Sequence, residues 1–215
     1  MSVNTTPLDL QLLPSYGPVI PVIVIDELEH AVPMARALVA GGVRVLEVTL
    51  RTPVALRAME RIAAEVPEAI VGAGTLRRPA DVEAALRVGC RFGVSPGYTP
   101  ALAQACREGG LPLLPGVATA SELMAALDDG LEFLKFFPAV AAGGVNMLKA
   151  LAGPFPDVSF CPTGGITLQT APDFLAIEQV KVCGGSWLTP RDVMAAGDWA
   201  AITERARQAS ALRPR

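Results

Sequence analysis

Val43-Arg44-Val45-Leu46-Glu47-Val48-Thr49-Leu50-Arg51 reads as a β-strand covered on both faces, and its alternation decides how the chain is built. Successive side chains of a strand point to opposite faces. Leu46, Val48 and Leu50 therefore share one face, and Glu47, Thr49 and Arg51 share the other. The apolar face suits a layer of helices. Three polar side chains late in a strand fill a core poorly, but they suit the mouth of a barrel, where reactive groups gather at the C-terminal ends of parallel strands.

Working outward, similar apolar runs recur every 20 to 25 residues: Val19 to Asp26, Val43 to Leu50, Ala69 to Thr75, Phe92 to Gly97, Leu111 to Ala118, Phe133 to Ala139, Val158 to Gly165 and Val180 to Trp187. Between them lie segments with a 3.6-residue apolar period, among them Glu27 to Ala40, Pro53 to Glu65, Pro79 to Val88 and Pro100 to Glu108. Several open with a capping residue or with a proline suited to a first helical turn. Eight βα units predict an α/β fold, a (β/α)8 TIM barrel forming a single domain over residues 1–215. A doubly wound open sheet is the alternative, because the number of strands does not by itself show closure. Pro7 to Leu13, ended by Pro14, predicts a short N-terminal helix capping the bottom of the barrel. Asp198 to Arg215 predicts a last helix that frays into Leu212-Arg213-Pro214-Arg215.

The 215 residues are 51% hydrophobic, enough for one domain that buries roughly 70% of its unfolded surface. A net charge of -3, with no basic run, lacks the electrostatic footprint of a nucleic-acid-binding protein. Met1 to Pro7 has neither the basic nor the apolar region of a signal peptide, and no apolar stretch is long enough to span a bilayer. A cytoplasmic protein with no membrane partner is expected. Cys90, Cys106, Cys161 and Cys183 are scattered, as reduced core thiols would be. His30, the only histidine, is expected to be solvated in the first turn of a helix. A lone histidine rules out two-histidine metal sites. No metal and no other cofactor is expected, and proton transfer falls to lysine and carboxylate.

Lys135 stands within Leu131-Glu132-Phe133-Leu134-Lys135-Phe136-Phe137-Pro138-Ala139, where burial of an ammonium costs several kcal/mol unless it is paired or neutralised. Apolar surroundings favour the free amine in lysines generally, and a free amine condenses with ketones. Phe133 and Phe137 share its face and could restrict water there. A structural ion pair would also explain a buried lysine. Thr75 and Thr163 end the third and seventh runs, as site residues or as helix caps. Gly164-Gly165 and Gly184-Gly185-Ser186 follow the seventh and eighth runs, the two loops that often hold phosphate in barrels through backbone N–H groups. Ordinary turns are the alternative. Gly72-x-Gly74 is no dinucleotide fingerprint, since Arg77 occupies the place of its last glycine.

Glu47-Val48-Thr49-Leu50-Arg51-Thr52, Gly72-Ala73-Gly74-Thr75, Ser95-Pro96-Gly97, Pro115-Gly116-Val117-Ala118-Thr119, Leu134 to Ala139, Pro162-Thr163-Gly164-Gly165-Ile166 and Gly184-Gly185-Ser186-Trp187 resemble the 2-keto-3-deoxy-6-phosphogluconate (KDPG) aldolases, which also act on 4-hydroxy-2-oxoglutarate. The likeness covers nearly the whole chain. It implies a homotrimeric, metal-independent class I aldolase of the Entner-Doudoroff pathway, acting on a small phosphorylated keto acid. Lys135 would form the Schiff base and Glu47 would shuttle protons. Arg51 and Thr75 would hold the pyruvyl carboxylate, and Gly164, Gly165, Gly185 and Ser186 the phosphate, with Pro96, Phe137 and Thr163 as further substrate contacts. A sister group that cleaves the galactonate epimer favours Pro and Asn near the second run and Asn after the proline of the fourth. This chain has Thr49, Arg51 and Gly97 there. A non-aldolase phosphate-binding barrel would keep the glycine loops without needing Lys135.

Overall fold

Parallel strands and helices alternate along the computed structural model, which describes residues 6–212. The strands are β1 (Val19–Ile23), β2 (Val45–Thr49), β3 (Ile70–Gly74), β4 (Phe92–Val94), β5 (Leu113–Leu114), β6 (Gly116–Val117), β7 (Phe133–Phe136), β8 (Ser159–Pro162) and β9 (Cys183–Gly185). The helices are α1 (Ala31–Ala40), α2 (Ala55–Glu65), α3 (Pro79–Arg87), α4 (Pro100–Gly109), α5 (Ala120–Asp128), α6 (Gly144–Ala152), α7 (Ala171–Leu175), α8 (Arg191–Ala195) and α9 (Trp199–Ser210). The fifth predicted run is two strands because Pro115 has no N–H to donate to a ladder. Its carbonyl still accepts from the Lys135 amide at 2.8 Å, which keeps β7 in register beside the break.

The strands form a curled α/β arrangement in the orders β5-β4-β3-β2-β1-β9 and β6-β7-β8. Every ladder is parallel. Isolated parallel bridges join Phe160 to Val180 and Thr163 to Gly184, between β8 and the segment of β9. Along β2 the pleat sorts side chains as the sequence requires. Leu46 and Val48 pack outward in a cluster with Met34 and Leu38 of α1 and Met59 and Ile62 of α2. Val45 faces inward, where it packs with Ile20, Ile70, Phe92, Leu114, Phe133 and Cys161. The helices answer with apolar stripes; α2 buries Ala55, Ala58, Met59 and Ile62 at three- and four-residue spacing.

Leu8 and Leu13 join that inner cluster. The N-terminal helix differs from its predicted bounds: a 3-10 helix runs Leu10–Tyr16 and passes through Pro14. Asp9 caps it by accepting from the Gln11 amide at 2.9 Å, and the Gly17 N–H closes on the Pro14 carbonyl. Loss of one N–H therefore does not end the turn. His30 also differs from expectation. It closes a short 3-10 turn, Leu28–His30, ahead of α1, and its ring meets Trp199 edge-on with centroids 5.4 Å apart. The last helix, α9, is present and capped by the Asp198 carboxylate on the Ala201 amide. The expected fraying over residues 213–215 lies outside the described residues, as do residues 1–5. All four cysteines are buried and free. Among the described residues, no helix is long and apolar enough to cross a membrane.

Candidate active site at the carboxyl ends of the strands

β7 carries Lys135 into the interior and β2 carries Glu47 to meet it. The Lys135 Nζ donates to the Glu47 Oε1 at 3.2 Å, and each residue is only 3% exposed. The Phe137 ring centroid lies 5.3 Å from the ammonium nitrogen. A buried pair of this kind adds little net stability, because the desolvation of both ions offsets their attraction. Chemically it is an amine with a proton acceptor in contact, the arrangement that general-base activation of a nucleophile requires. Gly74 makes room for it. A Cβ there would sit 2.5 Å from the Glu47 Oε1, so a larger residue would expel the carboxylate from its position beside Lys135.

Beyond Thr49 the pleat of β2 ends. The Arg51 amide donates back to the Thr49 carbonyl at 2.8 Å, a three-residue turn. Arg51 therefore reaches the site from a turn and not, as the alternation predicts, from the strand itself. Its Nε donates to the Thr75 Oγ1 at 3.1 Å. Thr75 has a φ of 64°, where a β-branched residue is an outlier, and strain of that kind collects at functional sites. Thr75 is not a helix cap: α3 begins after Arg78, and the Arg77 amide is met instead by Asp81. Nor is Thr163, whose hydroxyl makes its contacts with Cys161 while α7 begins after Thr170. The helix-cap alternative falls for both.

A cavity of about 90 Å³ opens over Lys135. Arg51, Phe137, Thr163, Gly164, Gly165 and Ser186 line it, together with Gly184 of the second glycine loop and with Val22 and Ile166, to which the sequence assigned no role. Gly184 is required by its neighbour, since a Cβ would lie 2.1 Å from the Thr163 Oγ1. Gly164 and Gly165 both have positive φ, 105° and 77°, which glycine adopts without strain. Thr75 is not in the lining; its hydroxyl accepts from Arg51, which is. Gly185 is outside the lining, against the Trp187 ring, and Pro96 is exposed in the turn after β4 with its carbonyl against Gly116.

Cys161 pairs with Lys135 in the β7–β8 register and could compete as a nucleophile. Burial pushes its thiol up to about 12, with the Lys135 charge pulling the other way, so it stays protonated at neutral pH. Among the described residues, no group of three or more His, Cys, Asp or Glu is placed to hold a metal ion.

A buried lysine against a carboxylate at the carboxyl ends of parallel strands is the arrangement expected of an α/β enzyme that works through a Schiff base. A family model described as "Aldolase: KDPG and KHG aldolase" matches residues 13–205, and the chain belongs to that family. The KHG/KDPG aldolase of Escherichia coli K12 is 58% identical over 193 residues, covering 90% of this chain and 91% of the relative. The solved KDPG aldolase of Zymomonas mobilis ZM4 with 3-phosphoglycerate is 47% identical, with a TM-score of 0.91 over 96% of this chain and 97% of that one. The KDPG aldolase of Legionella pneumophila, with pyruvate captured as a covalent carbinolamine, is 48% identical, with a TM-score of 0.90 over 92% and 96%.

Proposed function

We propose that this aldolase cleaves KDPG to pyruvate and glyceraldehyde 3-phosphate through a Schiff base on Lys135, and 4-hydroxy-2-oxoglutarate to pyruvate and glyoxylate by the same steps. The observation that carries the reading is the buried Lys135–Glu47 contact beneath a cavity that also has Arg51 and Ser186 in its lining. The Lys135 amine adds to the C2 ketone, and loss of water from the carbinolamine gives an iminium. Glu47 takes the proton of the C4 hydroxyl. The C3–C4 bond breaks, its electron pair moves into the iminium to form an enamine, and the aldehyde leaves. Return of a proton to C3 and hydrolysis of the imine release pyruvate.

Arg51, through a guanidinium oriented by Thr75, holds the carboxylate. The loops of Gly164-Gly165 and Gly185-Ser186 hold the phosphate, with Thr163, Phe137 and Pro96 shaping the approach. Barrel closure belongs to the same proposal. The two sheets are joined in sequence across Pro115, and the Phe160–Val180 and Thr163–Gly184 bridges support contact at the other seam. Burial of Leu8 and Leu13 among inner side chains supports a plug from the N-terminal helix. A single domain over residues 1–215, a homotrimer and a cytoplasmic location complete the reading, the last two on the family resemblance. The test is direct: KDPG is added and pyruvate is followed through lactate dehydrogenase. Sustained pyruvate release is expected; its absence, with KDPG intact, would overturn the proposal.

A further inference from the structure

The β1–β2 ladder pairs Val22 with Glu47 and Ile23 with Val48, and there the backbone pairing stops. Two hydroxyls carry the connection further. The Thr49 Oγ1 donates to the Ile23 carbonyl at 2.8 Å and the Thr52 Oγ1 to the Ile25 carbonyl at 2.6 Å. Arg51 lies between these two anchors, and its own amide is folded back onto Thr49. The Thr49 side chain is fully buried, so it meets no solvent and spends its donor on backbone. The Arg51 side chain, by contrast, is exposed and held at its far end by one hydrogen bond, to the Thr75 hydroxyl. An arginine's planar fork grips a carboxylate only when it is aimed, so a long stem gains from a fixed starting point on the backbone.

We propose that Thr49 and Thr52 are positioning residues for Arg51: they latch the turn after β2 to the end of β1 and so aim the guanidinium at the substrate carboxylate. The inference rests on the proposed role of Arg51 as carboxylate holder. It follows that the latch acts on the pyruvyl half of the substrate and not on the phosphate half, whose loops follow β8 and β9.

Exchange of pyruvate methyl protons isolates the pyruvyl half. Thr52→Val keeps the shape and removes the donor, and it is expected to raise the KM for pyruvate in exchange about tenfold, as loss of a hydrogen bond serving a charged contact does. The exchange kcat and the KM for glyceraldehyde 3-phosphate in the condensation direction should be unchanged, and Thr52→Ser should restore the pyruvate KM. Thr52→Ala serves the same comparison should the valine variant not fold. The decisive readout is the double variant. In an Arg51→Ala background Thr52→Val should add nothing, because coupled residues are not additive. A full additional loss in that background, or an unchanged pyruvate KM in Thr52→Val while Arg51→Ala raises it, would overturn the latch and leave the carboxylate role of Arg51 standing. An unchanged pyruvate KM in Arg51→Ala itself would overturn both.

Discussion

At the scale of the residue, the choice lies between an inert ion pair and a catalytic one. An inert pair accounts for Lys135 and Glu47 but leaves the cavity above them without a purpose, and it gives no reason for Thr75 to hold a strained backbone that turns its hydroxyl to Arg51. If Glu47 moves the proton, Glu47→Gln keeps the size of the side chain and should lower kcat by about 10²- to 10⁴-fold. The variant should still allow iminium to be trapped, since the nucleophile is untouched. Steady-state rates beside trapping yields check this, and an unchanged kcat would assign the proton to another group. Lys135, Glu47 and Arg51 were legible in the sequence because each charge interrupts an apolar strand pattern. Gly74, Val22 and Ile166 were not. Their part is to leave space or to wall a cavity, and that depends on neighbours brought close only by folding. Pro96, carried over from the family pattern, and Gly185, read from its glycine loop, lie outside that lining.

Elements aim these residues, and α5 shows how locally that is encoded. It follows β6, which pairs with β7 at Gly116 and Lys135. It starts with a complete capping box: the Thr119 hydroxyl accepts from the Glu122 amide at 3.3 Å, and the Glu122 carboxylate accepts from the Ala118 and Thr119 amides at 2.8 and 2.9 Å. The Ala118 amide foremost, then the Thr119 hydroxyl and amide, hold the Glu122 carboxyl below its ordinary value against the opposing effect of burial. A carboxyl lowered on folding stabilises the protein above its unfolded value, and that contribution is lost as the pH falls through the folded one. Thr119→Ala should therefore cost about 1 kcal/mol at neutral pH. The gap in urea midpoint between the parent and Glu122→Gln should narrow on acidification, and a gap that widened would contradict the cap. The helices were legible because such caps are local. The strand ends were less so: Pro115 divides one run, and β2 stops at Thr49 because the Arg51 amide turns back.

For the molecule as a whole, the eightfold recurrence of apolar runs anticipated the α/β architecture, since strands buried on both faces need continuous apolar sequence. Which strands meet was beyond the pattern. Glu47 and Lys135 are 88 positions apart on strands that are not ladder neighbours, and only the curl of the sheets brings them into contact. The central claim is that this contact exists to make Lys135 a nucleophile. The chain has two other lysines, Lys149 and Lys181. Both are exposed, Lys149 on α6 and Lys181 with its ammonium on the Glu178 carbonyl. The most direct measurement is to add borohydride in the presence of pyruvate and locate the reduced adduct by peptide mass spectrometry. Stoichiometric label on Lys135, abolished in Lys135→Ala together with activity, is the predicted result. Label on Lys149 or Lys181, or full cleavage activity in Lys135→Ala, would contradict the account.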